Sequence, residues 1–466
     1  MSTELWQLDA TDLARLIRVG QVSAREATSS VVGRIDAVNP RLNAIVRDLR
    51  EEAFAAADAA DAKQARGEAL GPLHGVPVTT KVNTDQKGCP TDNGIVAFKD
   101  LIATEDSPLV RNFREAGAII VGRTNTPGFS MRLFTENSLH GVTVNPRDAA
   151  MTAGGSSGGA GSATASGMGP IHHGNDIAGS VRYPAYCNGV VGLRPTPGRI
   201  PSYNATAPGG RAMGGQLMAV QGPLTRSVRD ARISFAVLSG ADRTDPRWVD
   251  APLEGPPAPR RVALMAEIPG YHTDPALVAA TRTAAKHLQL AGYAVEEVNP
   301  PDFAEAAELW NRIAGTDVLV ALDPSVRKYG DADTIRSLEG WRGVAPALDL
   351  AGYVQALADR DWLIRRWLTF LATYPIVLMP SSCALPFPAG FDAASDDGNR
   401  VLWAANPQQI AIPLLGLPSL QVPVGTIGKM RGGVQLVAAR FREDLCLAAG
   451  EVIEAAEGAN APVDPG

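Results

Sequence analysis

The sequence is short of the residues that mark several common chemistries. Its 466 residues hold four cysteines, Cys89, Cys187, Cys383 and Cys446, all scattered singly. No C-x-x-C pair offers a zinc or dithiol site, so the four read as small buried apolar side chains. Basic residues are not in excess: 43 Lys and Arg stand against 49 Asp and Glu, a net charge of −6. That is the wrong sign for a phosphate-binding surface, and no nucleic-acid partner is expected. No apolar run approaches the roughly 18 residues of a membrane span. The longest candidate, Pro375-Ile-Val-Leu-Met-Pro380, is short and bounded by proline. The opening Met1-Ser-Thr-Glu-Leu-Trp-Gln7 lacks a basic segment followed by an apolar one, so no secretory leader is expected and the chain reads as cytoplasmic. No repeat of solenoid period is present.

What is there is a globular composition, 45% hydrophobic and 20% charged. The first 70 residues read as helical. Leu13, Leu16 and Ile17 share one face behind a capping Thr11, and Gly20 closes that helix. Ser23 with Glu26 three residues later forms a capping box for a second helix running to Asn39-Pro40. An Ala-rich third helix covers roughly 50 to 66. The pattern then turns to short apolar strands, Val76 to Val82 and Gly117 to Gly122, alternating with helices, which predicts an α/β protein with a mostly parallel or mixed sheet. The Pro/Gly-rich stretch 251–260 is a candidate linker or surface crossover. Residues 303–373 read as helical and carry Trp310, Trp341, Trp362 and Trp367. Strands return near 376, 419 and 433, before a final helix at about 443–457.

Three features could carry chemistry. Gly154-Gly-Ser-Ser-Gly-Gly159 brings backbone close to backbone or ligand, but lacks the Lys-Ser/Thr of a phosphate loop. Ser180 follows Ala178-Gly179, small residues that leave consecutive N–H groups accessible, as an oxyanion hole requires. Asp176 and Arg182 flank it with opposite charges and read as an ion pair supporting the turn. Serine hydrolysis usually recruits histidine as base. His172 and His173 lie nearby, and a metal site with Asp176 is conceivable, but adjacent strand residues face opposite sides. Lysine can serve instead if burial keeps it neutral. Lys81 ends an apolar strand, among Val76, Val78, Val82, Thr79 and Thr80.

Taken together, these stretches resemble the amidase signature family. The series runs Gly75-Val-Pro-Val-Thr-Thr-Lys81, Gly117-Ala-Ile-Ile-Val-Gly-Arg-Thr-Asn125, Asn145-Pro146 and Gly154–Gly159. It continues through Asp176-Ile-Ala-Gly-Ser-Val-Arg182, Gly189-Val-Val-Gly-Leu-Arg-Pro-Thr196, Gly222-Pro-Leu-Thr-Arg-Ser-Val-Arg-Asp230 and Gly433-Val-Gln-Leu-Val437, in order along nearly the whole chain. The resemblance implies a mixed, twisted sheet covered by helices on both faces in one large domain. Residues 1–70 would form a helical region, 71–240 the catalytic core and 261–466 the rest of the sheet and the substrate pocket. It implies an amidase acting through a seryl acyl-enzyme on a small aryl, bulky or linear amide, with no metal and no cofactor. The nucleophile would be Ser180, the cis-serine Ser156 and the base Lys81. The amides of Ile177, Ala178, Gly179 and Ser180 would form the oxyanion hole, with Ser157, Asp176 and Arg182 in support and Ser130 touching substrate. Two departures stand out: Ala178-Gly179 replaces the usual Gly-Gly, and Gly128 stands where the family often has Glu. An amidotransferase subunit that passes ammonia to a partner, an esterase or carbamate hydrolase, and a non-catalytic binding relative are the rival readings. A homodimer is compatible with the sequence.

Overall fold

In Ile376-Val-Leu-Met-Pro380 successive side chains point to opposite sides of the strand. Ile376 and Leu378 enter one apolar core, Val377 and Met379 another. A strand buried on both faces has no polar side to show, which is why this run is continuously apolar. It belongs to an eleven-stranded sheet in the computed structural model, which describes residues 4–465 apart from 208, 345 and 396.

The strands are β1 (Ile45–Asp48), β2 (Pro77–Lys81), β3 (Ile119–Thr124), a separate hairpin of β4 (Glu136–Asn137) and β5 (Gly141–Val142), β6 (Ile171–Asp176), β7 (Val191–Arg194), β8 (Val220–Thr225), β9 (Arg261–Leu264), β10 (Ala294–Glu297), β11 (Ile376–Pro380), β12 (Ser419–Ile427) and β13 (Met430–Ala438). Across the large sheet the order is β1-β3-β2-β6-β8-β7-β12-β13-β11-β9-β10. β2 pairs parallel with β3 and β6, and β9 pairs parallel with β10 and β11. The remaining pairings are antiparallel, so the sheet is mixed. Helices Pro108–Glu115, Val228–Leu238, Pro275–Leu290 and Glu443–Glu457 contribute to the first core; Phe303–Asp317, Leu350–Thr373 and Pro407–Leu415 contribute to the second.

The helical N-terminal region forms as Ala10–Arg18, Ala24–Leu42 and Arg50–Ala65, with the edge strand β1 between the last two. Ser23 and Glu26 make the expected reciprocal capping bonds. The second helix runs past Pro40 to Leu42, because a proline in the last turn forfeits one backbone bond and the chain then leaves through left-handed Asn43. Thr11 does not cap the first helix. Asp9 holds that position, and Thr11 donates from N–H and Oγ1 to Asp230 Oδ1, at 3.0 and 2.8 Å. The stretch 251–260 leads from helix Val228–Leu238 to β9 and is tied down by Arg199 to the Ala251 and Pro252 carbonyls and by Gly255 N–H to Asp444. Of the four tryptophans in 303–373, Trp310, Trp341 and Trp367 are buried and Trp362 is exposed.

Candidate active site

β2 and β6 are parallel neighbours, so both carboxyl ends open on one edge of the sheet, where open α/β sheets gather their functional groups. β2 ends on Lys81. β6 ends on Asp176, and the turn 177–181 leads into helix Arg182–Asn188. Between them lies the glycine-rich segment 154–157, which starts helix Gly158–Ser166; its Gly155–Ser156 peptide is cis.

Lys81 is completely buried. Its Nζ lies 2.8 Å from Ser156 Oγ, 3.1 Å from Ser157 Oγ and 2.9 Å from Asn175 Oδ1. Burial pushes its pKa well below that of a free lysine, against the opposing pull of the Asp176 charge. The Ser180 segment is fastened to the Ser156 loop by Ser157 N–H donating to the Ser180 carbonyl at 3.2 Å. The Ser180 hydroxyl itself makes no hydrogen bond among the described residues. Lys81, Ser156, Ser157 and Ser180 are thus brought into one buried cluster.

Asp176 is the hub of the turn. It accepts from Arg182 Nε and Nη2, both at 3.0 Å, from Arg194 Nη1 at 3.3 Å, and from the amides of Gly179, Val181 and Arg182. Burial alone would raise its pKa, but the two guanidinium groups hold the carboxyl at about 2. The Gly179 amide is therefore engaged by Asp176 at 3.0 Å, while those of Ile177, Ala178 and Ser180 have no partner among the described residues. The positive φ of this turn, +92°, falls on Gly179 and not on Ala178. A Cβ at Gly179 would come within 2.4 Å of Gln409 Oε1 and 2.7 Å of Gln409 Cβ, so the glycine is needed there, whereas alanine fits at 178.

Sequence reasoning missed two side chains that bear on this site, Trp310 and Asn175. Trp310 Nε1 donates to the Ile177 carbonyl at 3.0 Å from 133 positions away. The Trp310 ring packs with Trp341 and Trp403, at centroid distances of 5.3 and 5.7 Å. Asn175 immediately precedes the Asp176–Arg182 stretch, and a polar residue next to Asp176 gives no spacing signal of its own; its Oδ1 accepts from Lys81 Nζ. Ser130 sits on a backbone with φ of +56° and joins a side-chain chain: Asn83 Nδ2 donates to Ser130 Oγ at 2.9 Å, and Ser130 Oγ donates to Asn93 Oδ1 at 2.7 Å. Asn83, Asn93, Ser130, Asn175, Asn204 and Gln221 line a cavity of about 190 Å³ beside the lysine. Gly128 precedes this segment, and a Cβ there would meet Thr334 Oγ1 at 2.6 Å, so a larger side chain at 128 requires Thr334 to move.

The histidines near Ser180 are occupied within the sheet. His172 lies between Thr79 Oγ1, at 2.7 Å, and the Gly169 carbonyl, at 3.0 Å. His173 Nδ1 accepts from Lys81 N–H at 3.3 Å, so its Nε2 donates to Gln221 Oε1 at 2.8 Å. Burial lowers both pKa values to about 3, leaving neutral rings. Among the described residues neither hydrogen-bonds to Asp176 or to the serines, and no group of three His, Cys, Asp or Glu is spaced to hold a metal.

The arrangement offers a hydroxyl at the head of a turn with free amides, a second serine, and a buried amine in contact with it. The family model described as Amidase matches residues 26–447. The chain is 47% identical over 454 residues to an indoleacetamide hydrolase of Bradyrhizobium diazoefficiens, covering 97% of this chain and 86% of that protein. It is 30% identical over 484 residues to a glutamyl-tRNA(Gln) amidotransferase subunit of Moorella thermoacetica, covering 97% of each. The solved structure of 6-aminohexanoate cyclic dimer hydrolase complexed with substrate superposes with a TM-score of 0.85 at 26% identity, covering 98% of both chains.

Proposed function

The chain belongs to the amidase family and hydrolyses the C–N bond of small-molecule carboxylic amides, and from that premise we propose that Ser180 is the nucleophile, Ser156 the proton carrier and Lys81 the base. The observation that carries this reading is the 2.8 Å contact between the wholly buried Lys81 Nζ and Ser156 Oγ. Ser180 Oγ forms the bond to the carbonyl carbon as its proton passes to Ser156, whose own proton passes to Lys81. The carbonyl electron pair moves onto oxygen, where the free amides of Ile177, Ala178 and Ser180 receive the charge. Collapse breaks the C–N bond. Ser156 gives its proton to the departing nitrogen and is reprotonated by Lys81. Water then attacks the acyl-enzyme through the same relay and releases the carboxylate.

The substrate we propose is a primary amide with an aromatic acyl group, of which indoleacetamide is the test case; the products are the carboxylate and ammonia. The name of the relative at 47% identity supports this, against 30% for the amidotransferase relative. Ammonia release should be measured with the purified chain alone on indoleacetamide, phenylacetamide, hexanamide, acetanilide and glutamine. The arylacetamides should give the highest kcat/KM. Turnover confined to glutamine, or dependent on an added partner, would favour the amidotransferase reading instead.

A further inference from the structure

Lys81 Nζ has three neighbours, Ser156 Oγ, Asn175 Oδ1 and Ser157 Oγ, at 2.8, 2.9 and 3.1 Å. A neutral amine has two N–H donors and one lone pair, while an amide oxygen can only accept. One hydrogen must therefore go to Asn175. With the second on Ser157, the lone pair is left facing Ser156, the nearest of the three. We propose that Asn175 is a positioning residue that aims the Lys81 lone pair at the Ser156 hydroxyl. The proposal rests on the Ser180–Ser156–Lys81 reading above.

The orientation of the Asn175 amide follows from the relay itself. Each turnover passes Lys81 through its ammonium form, which has no lone pair to receive an N–H. Only the oxygen of Asn175 can face Nζ in both states. The other end of the amide is held in that sense, because Asn175 Nδ2 donates to Asn83 Oδ1 at 2.9 Å and Asn83 Nδ2 donates to Ser130 Oγ at 2.9 Å. In the ammonium form the three donors meet three acceptors, so no hydrogen is stranded in either state.

Asn175 is also neutral where an acid would disable the base. The charged and titratable groups around Lys81 are Asp176 on β6, committed to Arg182 and Arg194; Arg123 on β3, which donates to the Lys81 carbonyl; and His173, which accepts from the Lys81 amide. Among the described residues none of them makes an ion pair with Nζ.

The test is the pH dependence of kcat/KM for wild type, Asn175→Asp, Asn175→Ala and Lys81→Ala. Asn175→Asp places a carboxylate against Nζ and favours the ammonium. The ascending limb should therefore move to higher pH by about one to three units, so that activity lost near neutral pH returns in alkali. Asn175→Ala removes the acceptor without adding charge; kcat should fall about tenfold or more with KM within about twofold and no alkaline shift of the limb. A contact that merely held the fold together would leave the limb of Asn175→Asp where it is and would change KM along with kcat in Asn175→Ala. If Asn175→Asp does not fold, Asn175→Ser and Asn175→Ala decide through the split between kcat and KM. Folded variants with the wild-type limb and the wild-type kcat would overturn the positioning role. Lys81→Ala keeping wild-type turnover would instead overturn the relay reading on which it rests.

Discussion

A lysine can act as a base only as the free amine, and at its solution pKa of about 10.4 roughly one part in 2,500 is neutral at pH 7. Lys81 escapes that limit through burial, which pushes its pKa well down despite the charge on Asp176. The carboxylate is restrained from undoing this because Arg182 and Arg194 neutralise it. The sign of the pH dependence follows. A base with a lowered pKa is protonated and idle below that pKa and active above it, so kcat/KM should rise with pH and level off well before pH 10.4. Lys81→Arg keeps the positive charge but cannot supply a neutral base at any working pH, so its turnover should fall by several orders of magnitude, as far as Lys81→Ala, because members of a relay act as a unit. His172→Gln and His173→Gln should keep the ascending limb. Steady-state kinetics across pH 5 to 10 would check this; a Lys81→Arg enzyme with near wild-type turnover would contradict it.

At the scale of elements, the turn 177–181, proposed above as the oxyanion hole, is held by helix Phe303–Asp317 through Trp310 Nε1 on the Ile177 carbonyl. That bond fixes the peptide whose N–H belongs to Ala178. Trp310→Phe keeps an aromatic ring against Trp341 and Trp403 but loses the donor. It should lower kcat by about tenfold, equal to about 1.4 kcal/mol, with little change in KM. Circular dichroism and steady-state kinetics would check it, and a folded variant with unchanged kcat would show the turn to be self-supporting. The contact also marks where the sequence stopped being legible. Lys81, Ser156, Ser180 and Asp176 sit in stretches whose glycines and small residues have local meaning, and β2, β3 and β11 could be read from their apolar runs. Trp310 is joined to its turn only by tertiary packing, which no spacing within 303–373 records. Asn175 lies in plain view, yet its role depends on a strand neighbour 94 positions away, Lys81. Local rules also yielded at Pro40, where the helix continues, and at Thr11, drawn away from capping by Asp230 from a distant helix.

At the scale of the molecule, strands of one mixed sheet and the turns that leave it bring together buried segments near 81, 156 and 180. Parallel pairing of β2 with β6 sets Lys81 beside the Asn175 end of its neighbour, and helix Pro407–Leu415 closes the far side, with Arg182 donating to the Gln408 and Gln409 carbonyls. The fold thereby supplies a buried amine in contact with a hydroxyl, which in the proposed relay does what a histidine would otherwise do. The most direct test is to map the adduct left by an active-site fluorophosphonate by peptide mass spectrometry. A single modification on Ser180 is expected, absent from Ser180→Ala and formed at least about a hundredfold more slowly in Lys81→Ala. An adduct on any other residue, or labelling that persists in Ser180→Ala, would contradict the assignment of Ser180 as nucleophile.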